Sequence, residues 1–148
     1  GEDVEVIWQC GRYYKKDIDA FMAAHPQVKG ISHFDFISRM DLAFAAADVV
    51  ISRSGASTVS ELCAMGKATI FVPSPNVAED HQTHNAMALV RKDAALLVKD
   101  SEAPDELMPT ALGLLKSPDR CATLGRNAEK MALRDAARII CDEIYKLV

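Results

Sequence analysis

The run Arg53-Ser54-Gly55-Ala56-Ser57-Thr58-Val59-Ser60-Glu61 combines the residue types that hold an anion with one that holds a diol. It follows the apolar strand-like Val49-Val50-Ile51-Ser52 and passes through a small-residue turn directly into a helical pattern. The first turn of a helix has amide donors without intrahelical acceptors and a partial positive charge, so this order of strand, glycine turn and helix suits a phosphate. Glu61 then lies one turn inside the helix, where a carboxylate can accept hydrogen bonds from two neighbouring ribose hydroxyls while a diphosphate sits on the helix end. A nucleotide-sugar makes both demands. Thr58-x-x-Glu61 equally fits a capping box, in which threonine and glutamate satisfy the helix's own amides and no ligand is needed. Spacing alone leaves both readings open.

Arg53 ends the strand, where it can meet a phosphate or pair with a neighbouring carboxylate such as Asp48. Gln82 follows a proline loop, and its carboxamide can bond sugar hydroxyls or stand in solvent as an ordinary helical polar residue. His81-x-x-His84 puts two imidazoles on one helical face, but a zinc site needs further ligands, and His25, His33 and Cys63 have no suitable spacing. No metal and no cofactor are expected. Cys10, Cys63, Cys121 and Cys141 lie far apart without a C-x-x-C pair, which reads as free thiols. Cys10 and Cys63 are expected to pack as small apolar groups, since no histidine base accompanies either.

These residues need a scaffold. At 148 residues and 49% hydrophobic, the chain fits one domain in which helices cover a sheet. No apolar run approaches the ~20 residues of a membrane span. A net charge of -4, from 17 basic and 21 acidic residues scattered along the sequence, offers no broad field for nucleic acid or anionic lipid. Strand patterns at 4–9, 28–32, 49–52, 68–72 and 94–98 alternate with helical ones at 14–24, 40–47, 57–65 and 80–92. Phe34-Asp35-Phe36-Ile37 reads as a loop and Gly66 as a helix stop. Three more helical patterns follow at 104–115, 118–131 and 135–146. Such alternation predicts an α/β fold, a Rossmann-like parallel sheet with helices on both faces and ligands outside the carboxyl ends of the strands. Gly1-Glu2-Asp3 leads at once into a strand pattern, as expected of a piece cut from a longer chain.

Taken together, Phe36-Ile37, the Arg53–Glu61 run and Phe71-Val72-Pro73-Ser74-Pro75-Asn76 followed by His81-Gln82-x-x-Asn85-Ala86 resemble the MurG family, the peptidoglycan N-acetylglucosamine transferases of bacteria. The resemblance is to the carboxyl-terminal, donor-binding half of a two-domain glycosyltransferase of the GT-B type. It implies a family that moves GlcNAc from UDP-GlcNAc to undecaprenyl-diphospho-muramoyl-pentapeptide with inversion and without a metal, on the cytoplasmic face of the bacterial inner membrane. By resemblance, the Ile37 backbone would meet the uracil edge, with Phe36 and Met40 as apolar walls. The run Ser54, Gly55, Ala56, Ser57, Thr58, Val59 and Ser60 would form the diphosphate turn, with Ala56, Ser57 and Thr58 cradling the anion and Arg53 within reach. Glu61 would take the ribose, and Gln82, with His81, the GlcNAc hydroxyls.

The family's donor half begins with a strand and a glycine-rich loop that are not found ahead of Gly1, and its acceptor half carries the expected general base and the membrane-facing surface. Residues 1–148 are therefore expected to form a single donor-binding domain, truncated at its amino terminus, that is inactive alone and binds UDP-GlcNAc weakly. The lipid-linked acceptor and the membrane would be met through the other domain. Two other readings are a stand-alone donor subunit working with a membrane-bound partner, and a non-enzymatic Rossmann-like module that senses a nucleotide. The turn Cys10-Gly11-Arg12 lacks G-x-G-x-x-G, which disfavours a dinucleotide.

Overall fold

A computed structural model describes residues 4–77 and 80–147. The sequence suggests one domain; the structure groups the chain into two compact units, Gly1–Ala46 and Ala47–Val148.

In the first unit, β1 (Val6–Gln9) and β2 (Ile31–Phe34) pair in parallel, Val6 opposite Ile31 and Gln9 opposite Phe34, joined by α1 (Arg12–Ala24). The helix α2 (Met40–Ala46) follows. β2 begins at Ile31, three residues after the sequence pattern starts, because Gly30 adopts φ 74 and interrupts the extended run. A β-carbon on Gly30 would stand 2.8 Å from the Val4 carbonyl oxygen, and the Gly30 carbonyl accepts the Val6 amide at 2.7 Å, so the close approach itself demands glycine. β2 also continues through Phe34, expected in a loop, and the Cys10 amide donates to the Phe34 carbonyl at 2.9 Å just past the ladder. Asp19 on α1 accepts from Lys15 at 2.5 Å and is bonded to His33 on β2 at 2.8 Å, which fastens helix to strand; these two partners hold its carboxyl below the usual range.

The second unit contains β3 (Val49–Ser52), α3 (Ala56–Met65), β4 (Ala68–Phe71), α4 (His81–Val90), β5 (Leu96–Leu97), α5 (Ala103–Leu115), α6 (Pro118–Glu129) and α7 (Ala136–Tyr145). Its sheet has the order β3-β4-β5 and is parallel throughout, with Ser52 opposite Phe71 and Phe71 opposite Leu97. All four β4 residues are buried, as the apolar, β-branched and aromatic run Ala68-Thr69-Ile70-Phe71 requires of a central parallel strand. Its Ala68 and Ile70 form a core cluster with Val98, Ala111, Leu114 and Leu124. β5 is shorter than its 94–98 pattern: Ala94 and Ala95 are buried outside the ladder, and the last rung is the Val98 amide on the Phe71 carbonyl at 2.9 Å.

Gly66 closes α3 in the left-handed conformation at φ 60, as expected of a C-terminal glycine, with its amide on the Cys63 carbonyl. Across from it lies Gly125 of α6, whose missing side chain lets the helix backbone rest on the α3–β4 turn. Asp93, at φ 54, receives a two-pronged ion pair from Arg120 at 2.6 and 2.7 Å, which joins the start of α6 to the segment after α4 and lowers the Asp93 carboxyl pKa. This packing delivers the carboxyl ends of β3 and β4 side by side.

Candidate functional site

β3 and β4 stay paired to their ends, where the Val72 amide bonds the Ser52 carbonyl at 2.9 Å. Beyond that rung the chain makes two loops: the turn 53–55 into α3, and the proline loop 72–76. Arg53 lies between them. One guanidinium nitrogen, Nη1, reaches the Val72 carbonyl at 3.1 Å, the Pro73 carbonyl at 3.2 Å and Asp100 Oδ1 at 2.5 Å. The carboxylate partner is Asp100 and not Asp48, and this nitrogen is committed to holding loop ends together, not to a phosphate.

Ser54 is also turned inward. It is fully buried; its hydroxyl donates to the Gln82 carbonyl at 2.8 Å, its amide to Gln82 Oε1 at 3.3 Å, and its carbonyl accepts Asn85 Nδ2 at 3.1 Å. Ser54 therefore shapes the turn and offers nothing to a ligand.

Gly55 is the N-cap of α3, at φ -62 and ψ 147, and no side chain caps the helix. Its carbonyl takes the first helical bond, from Val59 at 3.0 Å. The amides of Ala56, Ser57 and Thr58 make no hydrogen bond to any described residue. They are the orphan donors of a helix start, and they carry its partial positive charge. The capping-box alternative is thus not realised: α3 begins at Ala56, so Thr58 sits inside the first turn and is not the cap. Within the run Ala56–Glu61, the Val59 amide is used by the helix and the Ser60 hydroxyl donates back to the Ala56 carbonyl at 3.0 Å. That withdraws these two groups and leaves the first three amides and the exposed Glu61 side chain. An added β-carbon at Gly55 meets nothing within 4 Å, so the space above the cap is open. Cys63, on the inner face of α3, is buried, and burial pushes its thiol pKa up, as suits a packing residue and not a nucleophile.

Gln82 stands in the first turn of α4, which starts at His81 after Asp80 in the left-handed conformation. Its Oε1 accepts both the Ser54 amide and the Ser74 amide, the latter at 2.9 Å. With two N–H donors converging on it, the carboxamide oxygen must point inward and Nε2 outward. Nε2 makes no bond to a described residue and is not a buried orphan, so it has access to solvent. His81 is exposed at the same helix start. Asn85 and Ser74 complete this cluster. The sequence reading quoted both without giving either a role, although the i, i+3 spacing of Gln82 and Asn85 already puts them on one face of α4.

A 480 Å³ hollow lined by Pro73, Ser74, Pro75, Thr83, Met87 and Leu97 adjoins the proline loop, but no residue of α3 borders it. It is a separate feature from the open helix start.

In the first unit, Phe36 is exposed and Ile37 and Met40 are half-buried. The Ile37 amide donates to Gln9 Oε1 at 2.8 Å, a partner that sequence did not reveal. A base edge seeking that amide must first displace the Gln9 carboxamide. Among the described residues no cluster of three or more His, Cys, Asp or Glu side chains is arranged to hold a metal ion.

Comparison with known proteins gives a consistent picture. The family model of the glycosyltransferase family 28 C-terminal domain matches residues 1–140. A curated relative from Parabacteroides distasonis, named UDP-N-acetylglucosamine--N-acetylmuramyl-(pentapeptide) pyrophosphoryl-undecaprenol N-acetylglucosamine transferase, is 53% identical over 148 residues, covering 99% of this chain and 39% of the relative. A protein of the same name from Bacteroides fragilis is 46% identical over 145 residues, 98% of this chain and 38% of its own length. The crystal structure of Acinetobacter baumannii MurG superposes with a TM-score of 0.83 at 30% identity, covering 97% of this chain and 41% of that one. The chain thus spans about two-fifths of the length of the proteins it matches.

Proposed function

The chain belongs to the glycosyltransferase family 28 C-terminal domain family, and from that premise we propose that it is the UDP-GlcNAc-binding part of a bacterial transferase that adds GlcNAc to undecaprenyl-diphospho-muramoyl-pentapeptide. The observation that carries the reading is the start of α3, with three unpaired amides, an open cap and a carboxylate one turn along. A pyrophosphate oxygen placed there meets fixed donors that need no reorganisation, and the same donors stabilise the charge that gathers on UDP as it leaves. Glu61 takes the ribose diol, and Gln82 Nε2 with His81 the sugar hydroxyls.

In the whole enzyme, a base supplied by the acceptor-binding domain removes the proton from the muramoyl C4 hydroxyl, whose oxygen attacks the sugar C1 opposite the departing UDP. The bond to UDP breaks as the new glycosidic bond forms, which inverts the anomeric centre. The lipid-linked acceptor and the cytoplasmic face of the inner membrane are reached through that domain. No helix of the described residues is long and apolar enough to cross a membrane.

Isothermal titration with UDP, UDP-GlcNAc and ADP tests the assignment. UDP and UDP-GlcNAc are expected to bind and ADP to bind much more weakly. Glu61→Ala is expected to weaken UDP about tenfold, the loss of a charged hydrogen-bond acceptor. Preference for ADP, or UDP affinity indifferent to Glu61→Ala, contradicts the reading and favours a nucleotide sensor of another kind.

A further inference from the structure

We propose that Asn85 and the inward oxygen of Gln82 are positioning residues that aim the open amides of α3 by fastening the β3–α3 turn to the proline loop. The inference rests on the donor-site reading and deepens it, adding residues that act without touching the diphosphate.

Ser54 immediately precedes the N-cap, so its backbone orientation sets the direction in which the Ala56, Ser57 and Thr58 amides point. All of its polar groups are taken by one face of α4: hydroxyl to the Gln82 carbonyl, amide to Gln82 Oε1, carbonyl from Asn85 Nδ2. The residue is fully buried, so no water replaces a lost partner at low cost. The Gln82 oxygen simultaneously holds the Ser74 amide at 2.9 Å. One carboxamide therefore ties together the turn, the proline loop and, through its outward Nε2, the side proposed to meet the sugar. Any displacement of α4 would reach the proposed phosphate-binding amides through these bonds and that of Asn85. The two elements belong to the same unit, and α3 and α4 pack against each other.

The test separates aiming from contact. Asn85→Ala removes the donor to Ser54 and leaves Gln82 in place, and Gln82→Met removes the shared acceptor. Gln82→Glu keeps an acceptor for both amides while discarding the outward donor. In amide-resolved NMR of the unliganded protein, the Ala56, Ser57 and Thr58 resonances are expected to move in Asn85→Ala and Gln82→Met and to return toward the wild-type positions in Gln82→Glu. UDP, which lacks the GlcNAc assigned to Gln82, is expected to bind Asn85→Ala about fivefold more weakly, the effect of one neutral hydrogen bond. If Asn85→Ala does not fold, the pair Gln82→Met and Gln82→Glu carries the comparison. Resonances of 56–58 that stay in place in the folded Asn85→Ala and Gln82→Met proteins overturn the proposal. Wild-type protein that fails to bind UDP overturns the donor-site reading instead, and the resonance comparison still decides whether α4 aims the turn.

Discussion

Gly125→Ala is expected to lower the unfolding free energy by about 2 kcal/mol, read as a fall in the denaturant midpoint with little change in slope. A β-carbon at this position overlaps the carbonyl oxygen of Gly66 and stands 3.2 Å from its carbon. The obstacle is backbone, so no rotamer change relieves it. The turn cannot easily retreat either, since Gly66 is held at φ 60 with its amide on Cys63, and Ala68 two residues on begins the buried central strand. Overpacking of this kind costs roughly 1–3 kcal/mol and more where the neighbour is rigid, while alanine recovers about 1 kcal/mol of helix propensity. The steric effect wins because α6 carries Leu124 and Ala128 into the core on either side of the glycine, so lifting it loses their contacts as well. An unchanged midpoint would mean that α6 does not lie as closely on the α3–β4 turn as described.

Gly55→Ser is expected to have the opposite profile: stability kept or raised by a few tenths of a kcal/mol, and UDP affinity reduced about thirtyfold. At φ -62 and ψ 147 the position suits serine, and there is room for the side chain. Serine is a preferred N-cap whose oxygen accepts an amide two or three residues on, here Ser57 or Thr58. The helix gains the cap it lacks, and the donors proposed for the diphosphate are consumed. Thermal unfolding and titration with UDP on the same sample separate the two effects. Stronger or equal UDP binding by the serine variant would place the nucleotide elsewhere.

Local pattern carried the fold a long way. The apolar run 49–52, the small-residue turn and Gly66 announce β3, α3 and its end without reference to anything distant, and the parallel alternation follows from them. The start of α3 was harder, since Thr58-x-x-Glu61 imitates a cap while the real one, Gly55, contributes no side chain. β2 was displaced by a single glycine whose φ is fixed by its approach to Val4, a contact outside any local window. The same limit governs the site. Gln82 and Asn85 meet Ser54 across 28 and 31 residues, Arg53 meets Asp100 across 47, and Gln9 meets Ile37 across 28. Residue types pointed to chemistry at these positions, but only the packed chain shows that Ser54, Ser60 and one arm of Arg53 serve the scaffold, leaving the amides of Ala56, Ser57 and Thr58 open.

Those three amides are the centre of the account, and an NMR titration of isotopically labelled protein with UDP reads them directly. The prediction is that the Ala56, Ser57 and Thr58 cross-peaks shift the most in the second unit and saturate together with the heat measured by calorimetry. Binding that leaves these three in place while other amides shift would contradict it.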